Sequence, residues 1–162
     1  MKMKRQSGFT IIEMLIVVTI LAMLAGILIP VLEDAAKSAR QARRAADLKN
    51  VQAALESYKR VVGSYPDTGD EWFGDASDNG SYGYDAAGYI PGVVPDYLPA
   101  LPKDPDSQYP TASAGYMYRS DGTDYTMVCD GTPEDFPSGN PFYDPQRAAT
   151  AWQISSPGGY NW

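Results

Sequence analysis

Glu13 is the only charge in an apolar run that begins at Phe9 and extends to Ile29, just before Pro30. A helix over those 21 residues spans roughly 30 Å, the hydrocarbon thickness of a bilayer. A carboxylate inside such a segment costs up to a few kcal/mol, less here because Glu13 lies about 6 Å along the helix from its start. It therefore needs a cation to pair with, or it must snorkel to the headgroups. Two further acidic groupings suggest cation binding. Asp75-x-Ser77-x-Asn79-Gly80 imitates the start of a calcium loop, but the bidentate position is Ala86, with Asp85 just before it. Asp121, Asp124 and Asp130 surround a second turn. Each grouping reads either as a calcium site or as solvated turns. There is no histidine, which removes imidazole bases, proton shuttles and His-ligated zinc. The one cysteine, Cys129, cannot close an intrachain disulfide and reads as a small buried hydrophobe rather than a reactive thiol. Nothing in the pattern points to an enzyme.

These residues need elements to carry them. The helical pattern resumes beyond Pro30, which can kink a helix without ending it. Residues 33–62 contain neither Pro nor Gly, and Leu48, Val51, Leu55, Tyr58 and Val62 form one apolar stripe at steps of 3 and 4. Ala35, Ala39, Ala42 and Ala45 continue it as a shallower stripe. Glu33–Lys37, Arg43–Asp47 and Glu56–Arg60 are i,i+4 pairs. Gly63 supplies a C-cap and Pro66 prevents resumption. One helix over about residues 9–62 is expected. Residues 64–113 read mostly as ordered loop. Strands are expected at Gly115–Arg119 and Asp124–Cys129, joined across Asp121–Gly122, with a third around Trp152–Ser155. Tyr116 and Tyr118 should share a face, as should Tyr125, Met127 and Cys129. The fold class is α+β: a long N-terminal helix, its first half transmembrane, packed on a small antiparallel sheet with long loops.

Charge is split along the chain. Residues 1–60 carry 10 basic and 5 acidic side chains, net +5; residues 61–162 carry 3 and 15, net −12. The acidic part excludes a broad phosphate-binding surface, so no nucleic acid is expected there. The basic helical stretch could still meet anionic headgroups. Lys2, Lys4 and Arg5 flank the apolar run on one side, and Lys37, Arg40, Arg43, Arg44 and Lys49 on the other, so charge alone leaves topology open.

Residues 5–18, R-Q-S-G-F-T-I-I-E-M-L-I-V-V, resemble the class III signal and transmembrane helix of type IV pilins and pseudopilins. The Gly63–Ser64–Tyr65–Pro66 turn and the Leu101–Pro102–Lys103–Asp104–Pro105 run resemble pseudopilin-type head domains. The resemblance implies a prepilin whose leader, residues 1–8, is cut after Gly8 by a dedicated peptidase, leaving Phe9 to be N-methylated and Glu13 at the fifth position. Residues 9–30 would be the transmembrane and assembly helix, 31–62 an amphipathic helix and 63–162 the head. It further implies a cytoplasmic N-terminus in the inner membrane, then an extracytoplasmic or cell-surface filament assembled by membrane machinery. In that filament Glu13 of one copy would meet the Phe9 amine of the next. Gly26 and Pro30 bracket the weakest part of the helix, which either stretches on packing or is an ordinary kink. Many type IV pilins close a C-terminal disulfide that this chain lacks; some pseudopilins bind calcium instead.

Other N-terminal readings fit less well. The apolar core is longer than a secretory signal's, and Ala22–Met23–Leu24–Ala25–Gly26 is a poor cleavage site because the apolar run continues past it. No cysteine follows the core, as a lipoprotein would need. A plain anchor explains neither Glu13 nor the Gly8–Phe9 junction. The rival to a filament subunit is a monomeric membrane-anchored binding module with an aromatic-rich surface, since the chain holds 12 Tyr and 3 Trp. Against it, the same aromatics can serve as core and subunit contacts.

Overall fold

The computed structural model describes residues 8–74 and 88–162. It contains one long helix, α1 (Ile11–Val62), and four strands, β1 (Phe73–Gly74), β2 (Gly115–Ser120), β3 (Tyr125–Asp130) and β4 (Ala151–Ser155), followed by a 3-10 turn at Gly158–Asn161. Two compact units are present, Met1–Ser38 and Ala39–Trp162. The α+β class holds.

In the first unit α1 is apolar on every side, and the side chains from Phe9 to Leu32 are exposed. Among the described residues none covers this apolar stretch, which is the pattern of a helix in lipid or among other helices. By length and composition it can cross a membrane. Pro30 lies within α1 and does not end it. Gly63 does: its φ of +95° is the left-handed conformation that favours glycine, and its N–H bonds the Lys59 carbonyl at 2.8 Å.

In the second unit the strands run antiparallel in the order β1-β2-β3-β4. Register follows the alternation. Tyr116 pairs with Cys129, Tyr118 with Met127, and β4 brings Trp152 and Ile154 alongside. These side chains form one buried cluster with Leu48, Val51, Ala54 and Leu55 of α1. The sheet thus covers the helical stripe, and its tyrosines point inward. The Tyr118 hydroxyl donates to the Pro66 carbonyl at 2.9 Å, so a polar end is satisfied inside the core. The opposite face carries Met117, Val128 and Ala151 against Trp72. Over it, the Arg119 guanidinium lies 5.0 Å from the Trp162 ring centre and 5.9 Å from that of Trp72, while Arg147 lies 5.1 Å from Trp72.

Three expectations need correction. Val62 is exposed, so the stripe ends at the half-buried Tyr58. Ala35, Ala39 and Ala42 are exposed; Gln41 and Arg44 are the buried residues of that stretch, because the loops opposite present carboxylates rather than apolar groups. β1 interrupts a stretch expected as loop: two residues form a strand because Phe73 and Gly74 find an open edge beside Tyr118 and Met117. Of the helical ion pairs, Arg43–Asp47 closes at 3.0 Å, whereas Glu56 accepts from the Tyr65 hydroxyl at 2.8 Å.

Candidate functional site

The start of α1 is built by two side chains. Thr10 precedes the first helical residue, Ile11, and Glu13 is the third residue of the helix. The Thr10 backbone N–H and its Oγ1 each donate to Glu13 Oε2 at 2.7 Å. The Glu13 N–H donates back to Thr10 Oγ1 at 3.3 Å. This is the reciprocal capping box of a helix N-terminus, and it places a carboxylate where the helix dipole favours one. The Thr10-x-x-Glu13 spacing is the local sequence signal for this box. In the single chain, then, Glu13 already has hydrogen-bond partners in Thr10.

The residues before the cap are open. Phe9 is 78% exposed, and a side chain placed on Gly8 would meet nothing within 4 Å. The Gly8–Phe9 bond is therefore accessible. Pro30 and Gly26 lie further along the same helix.

The acidic candidates separate. Asp121 and Asp124 flank the β2–β3 turn, where Asp121 Oδ1 accepts the N–H groups of Thr123 and Asp124, each at 2.8 Å. Asp124 Oδ1 instead accepts from Ser156 Oγ at 2.6 Å and Gly158 N–H at 3.1 Å. Asp130 sits at the far end of β3, opposite Gly115 and Ala151, and is not brought to the other two. Asp75, Ser77, Asn79, Gly80, Asp85 and Ala86 lie outside the described residues. Among the described residues no three His, Cys, Asp or Glu side chains converge in a way that could hold a metal ion. Cys129 is fully buried, and burial pushes its thiol up to about 12.

A buried ionic clasp escaped the sequence reading. Arg44 and Asp104 are both fully buried and form two parallel bonds, Nε to Oδ2 at 2.7 Å and Nη2 to Oδ1 at 2.8 Å. Arg44 also reaches Gln41 at 2.9 Å and Glu134 at 3.2 Å, and Arg40 makes two bonds of 2.7 Å to Glu134. The clasp ties α1 to the Leu101–Pro105 run and to the loop after β3 at fixed height on the helix. The aromatic side chains are mainly structural: Tyr65, Tyr89, Tyr116, Tyr118, Tyr125, Phe142 and Trp152 are buried. Among the described residues Tyr160 is the one large aromatic exposed on the head.

A family model described as the prokaryotic N-terminal methylation motif matches residues 3–29. The type II secretion system core protein G of Aeromonas hydrophila is 30% identical over 140 residues, covering 81% of this chain and 88% of that protein. The chain belongs to the pseudopilin family. The core protein G of Klebsiella pneumoniae is 32% identical over 82% of this chain and 91% of its own length. The protein of the same name from Pseudomonas aeruginosa is 38% identical over 42% of this chain and 48% of its own length. No solved structure matches. These relatives are structural pseudopilin proteins, so this pseudopilin is a structural protein and not an enzyme.

Proposed function

We propose that this pseudopilin is a subunit of a type II secretion pseudopilus. A prepilin peptidase removes residues 1–8, Phe9 is N-methylated, and mature copies polymerise through α1. Residues 9–30 anchor the subunit in the inner membrane with the N-terminus cytoplasmic, residues 31–62 present the amphipathic part of the helix, and residues 63–162 form an extracytoplasmic head. A pilus subunit serving adhesion is the related alternative; the core protein G relatives favour the pseudopilus.

One observation carries the reading. The accessible Gly8–Phe9 junction, the capped carboxylate of Glu13 and an unpartnered apolar helix occur together inside the stretch matched by the methylation motif. A monomeric binding module needs none of the three, and among the described residues seven aromatics that it could display, Tyr65, Tyr89, Tyr116, Tyr118, Tyr125, Phe142 and Trp152, are buried. Intact-mass analysis of protein sheared from cells tests the proposal. The expected species begins at methylated Phe9. An intact Met1, or cleavage inside the apolar run, defeats it. Calcium, proposed at Asp121 and Asp124 without Asp130, is tested by melting: a rise with millimolar calcium, reversed by chelator, supports it, and indifference leaves these residues as turn acceptors.

A further inference from the structure

The segment after β4, Pro157–Trp162, folds back over the sheet, and its 3-10 turn packs on β3 and β4. What it covers is polar. Thr126 and Gln153 project from the face opposite α1, because their neighbours Tyr125, Met127, Trp152 and Ile154 belong to the core. An antiparallel sheet commonly turns such residues to water, yet these two are 0% and 4% exposed. Their bonds are long: Thr126 Oγ1 donates to Gln153 Oε1 at 3.5 Å, and Gln153 Nε2 to the Tyr160 carbonyl at 3.3 Å.

The cover is anchored at both ends. At the near end Asp124 Oδ1 accepts from Ser156 Oγ at 2.6 Å and from Gly158 N–H at 3.1 Å. The approach is close: a side chain on Gly158 would run into the Asp124 carboxylate, and one on Gly159 into the Tyr125 carbonyl. At the far end Arg147 Nη2 donates to the Trp162 carbonyl at 3.0 Å, and the Arg119 guanidinium lies 5.0 Å from the centre of the Trp162 ring. Neither arginine relies on Trp162 for a counter-charge. Arg119 makes two bonds to Asp70, at 2.8 and 2.9 Å, and Arg147 Nε lies 2.8 Å from Asp144. The two ends are joined, since the Trp162 N–H bonds the carbonyl of Gly159 at 3.3 Å, inside the turn that Asp124 holds.

We propose that Pro157–Trp162 is a lid that opens while the rest of the head stays folded, with Trp162 as its latch. Opening wets polar groups. Thr126 and Gln153 exchange long internal bonds for water, and Arg119 and Arg147 keep their carboxylates. Baring the other face would expose Tyr118, Met127 and Ile154, which water does not compensate. The open head presents a polar strip of Thr126, Gln153 and Arg119 that the closed head hides. The lid goes beyond the pseudopilus reading and does not depend on it.

Hydrogen exchange of the full chain in detergent micelles tests the lid, with chelator present throughout so that calcium at Asp124 does not enter. Amides of residues 156–162 are compared with those of β3. The expected result is exchange about tenfold or more faster in 156–162 than in β3. Trp162→Ala should speed 156–162 by about a further tenfold, including the Gly158 amide at the opposite anchor, and leave β3 unchanged. Trp162→Phe keeps a ring beside Arg119 and should restore most of the protection. Equal rates in the two segments of the unaltered chain would show that the cover lifts only when the whole head unfolds, and overturn the lid. Trp162→Ala accelerating β3 as much as 156–162 would also overturn it, by making Trp162 a support of the whole head. Unchanged rates in Trp162→Ala would overturn the latch.

Discussion

At the scale of single residues, Glu13 has two uses in sequence: it caps its own helix with Thr10, and in the proposed filament it receives an amine from the next copy. Glu13→Ala removes a charge from an apolar segment, so membrane insertion should be unharmed and cleavage after Gly8 should persist. Filament yield in the sheared fraction should fall by about tenfold or more relative to processed subunit in the membrane, because the incoming amine loses its counter-charge. Normal yield would remove the amine–carboxylate pairing from the mechanism. Cys129 makes a second prediction at this scale. A thiol pushed up to about 12 by burial is almost wholly protonated at neutral pH. It should resist a thiol reagent in the folded chain and react promptly once urea unfolds the head; fast reaction in the native state would contradict the packing of β3 on β4.

At the scale of elements, the clasp of Arg44 with Asp104 holds helix and loop together. Asp104→Asn keeps the shape but leaves Arg44 buried against a neutral partner. Urea unfolding of the full chain in detergent should show a loss of about 3–5 kcal/mol, the usual cost of breaking one side of a buried pair. The outer part of the clasp makes stability depend on pH. Glu134 is held below the usual carboxylate value of 4.5, first by its bond to Arg40. A lowered folded value means the unfolded chain binds the proton more readily, so this stability is fully present above about 4.5 and is lost as pH falls through the folded value. Asp47 acts in the opposite sense, because burial raises it above 3.8. The acid limb of stability against pH should therefore flatten in Glu134→Gln, and an unchanged limb would show that the Arg40 bond contributes nothing. The same scale shows how sequence and fold diverge. The β2–β3 hairpin was legible because Asp-Gly and a period of two are local signals. β1 was not, because two residues carry no period and pair only where a neighbour offers an edge.

At the scale of the molecule, the second unit begins at Ala39 and contains the helical stripe, the clasp and the whole sheet. A chain starting at Lys37 should therefore be soluble, monomeric and cooperatively folded, since Leu48, Val51 and Leu55 keep their cover. Gel filtration and a melting curve check this; aggregation, or a broad transition without a baseline, would show that the head needs its first unit to fold. The acidic charge of the head keeps such a fragment apart from its copies at low salt.

Signals carried within a few residues were readable without coordinates: the apolar length from Phe9, the cap at Gly63, the hairpin and the inward faces of Tyr116 and Tyr118. Each depends on backbone geometry or on a short period, which neighbouring residues alone impose. The tertiary structure alone decided which charges are buried. Arg44 and Asp104 are 60 residues apart, and Glu134 is 90 from Arg44, so no local pattern distinguishes them from solvated charges. It also decided that Asp130 leaves Asp121 and Asp124, because a six-residue strand carries it to the opposite end of the sheet. Burial and convergence are long-range properties: they follow from how α1 lies on the sheet, which the order of residues determines only through the packing of the whole head.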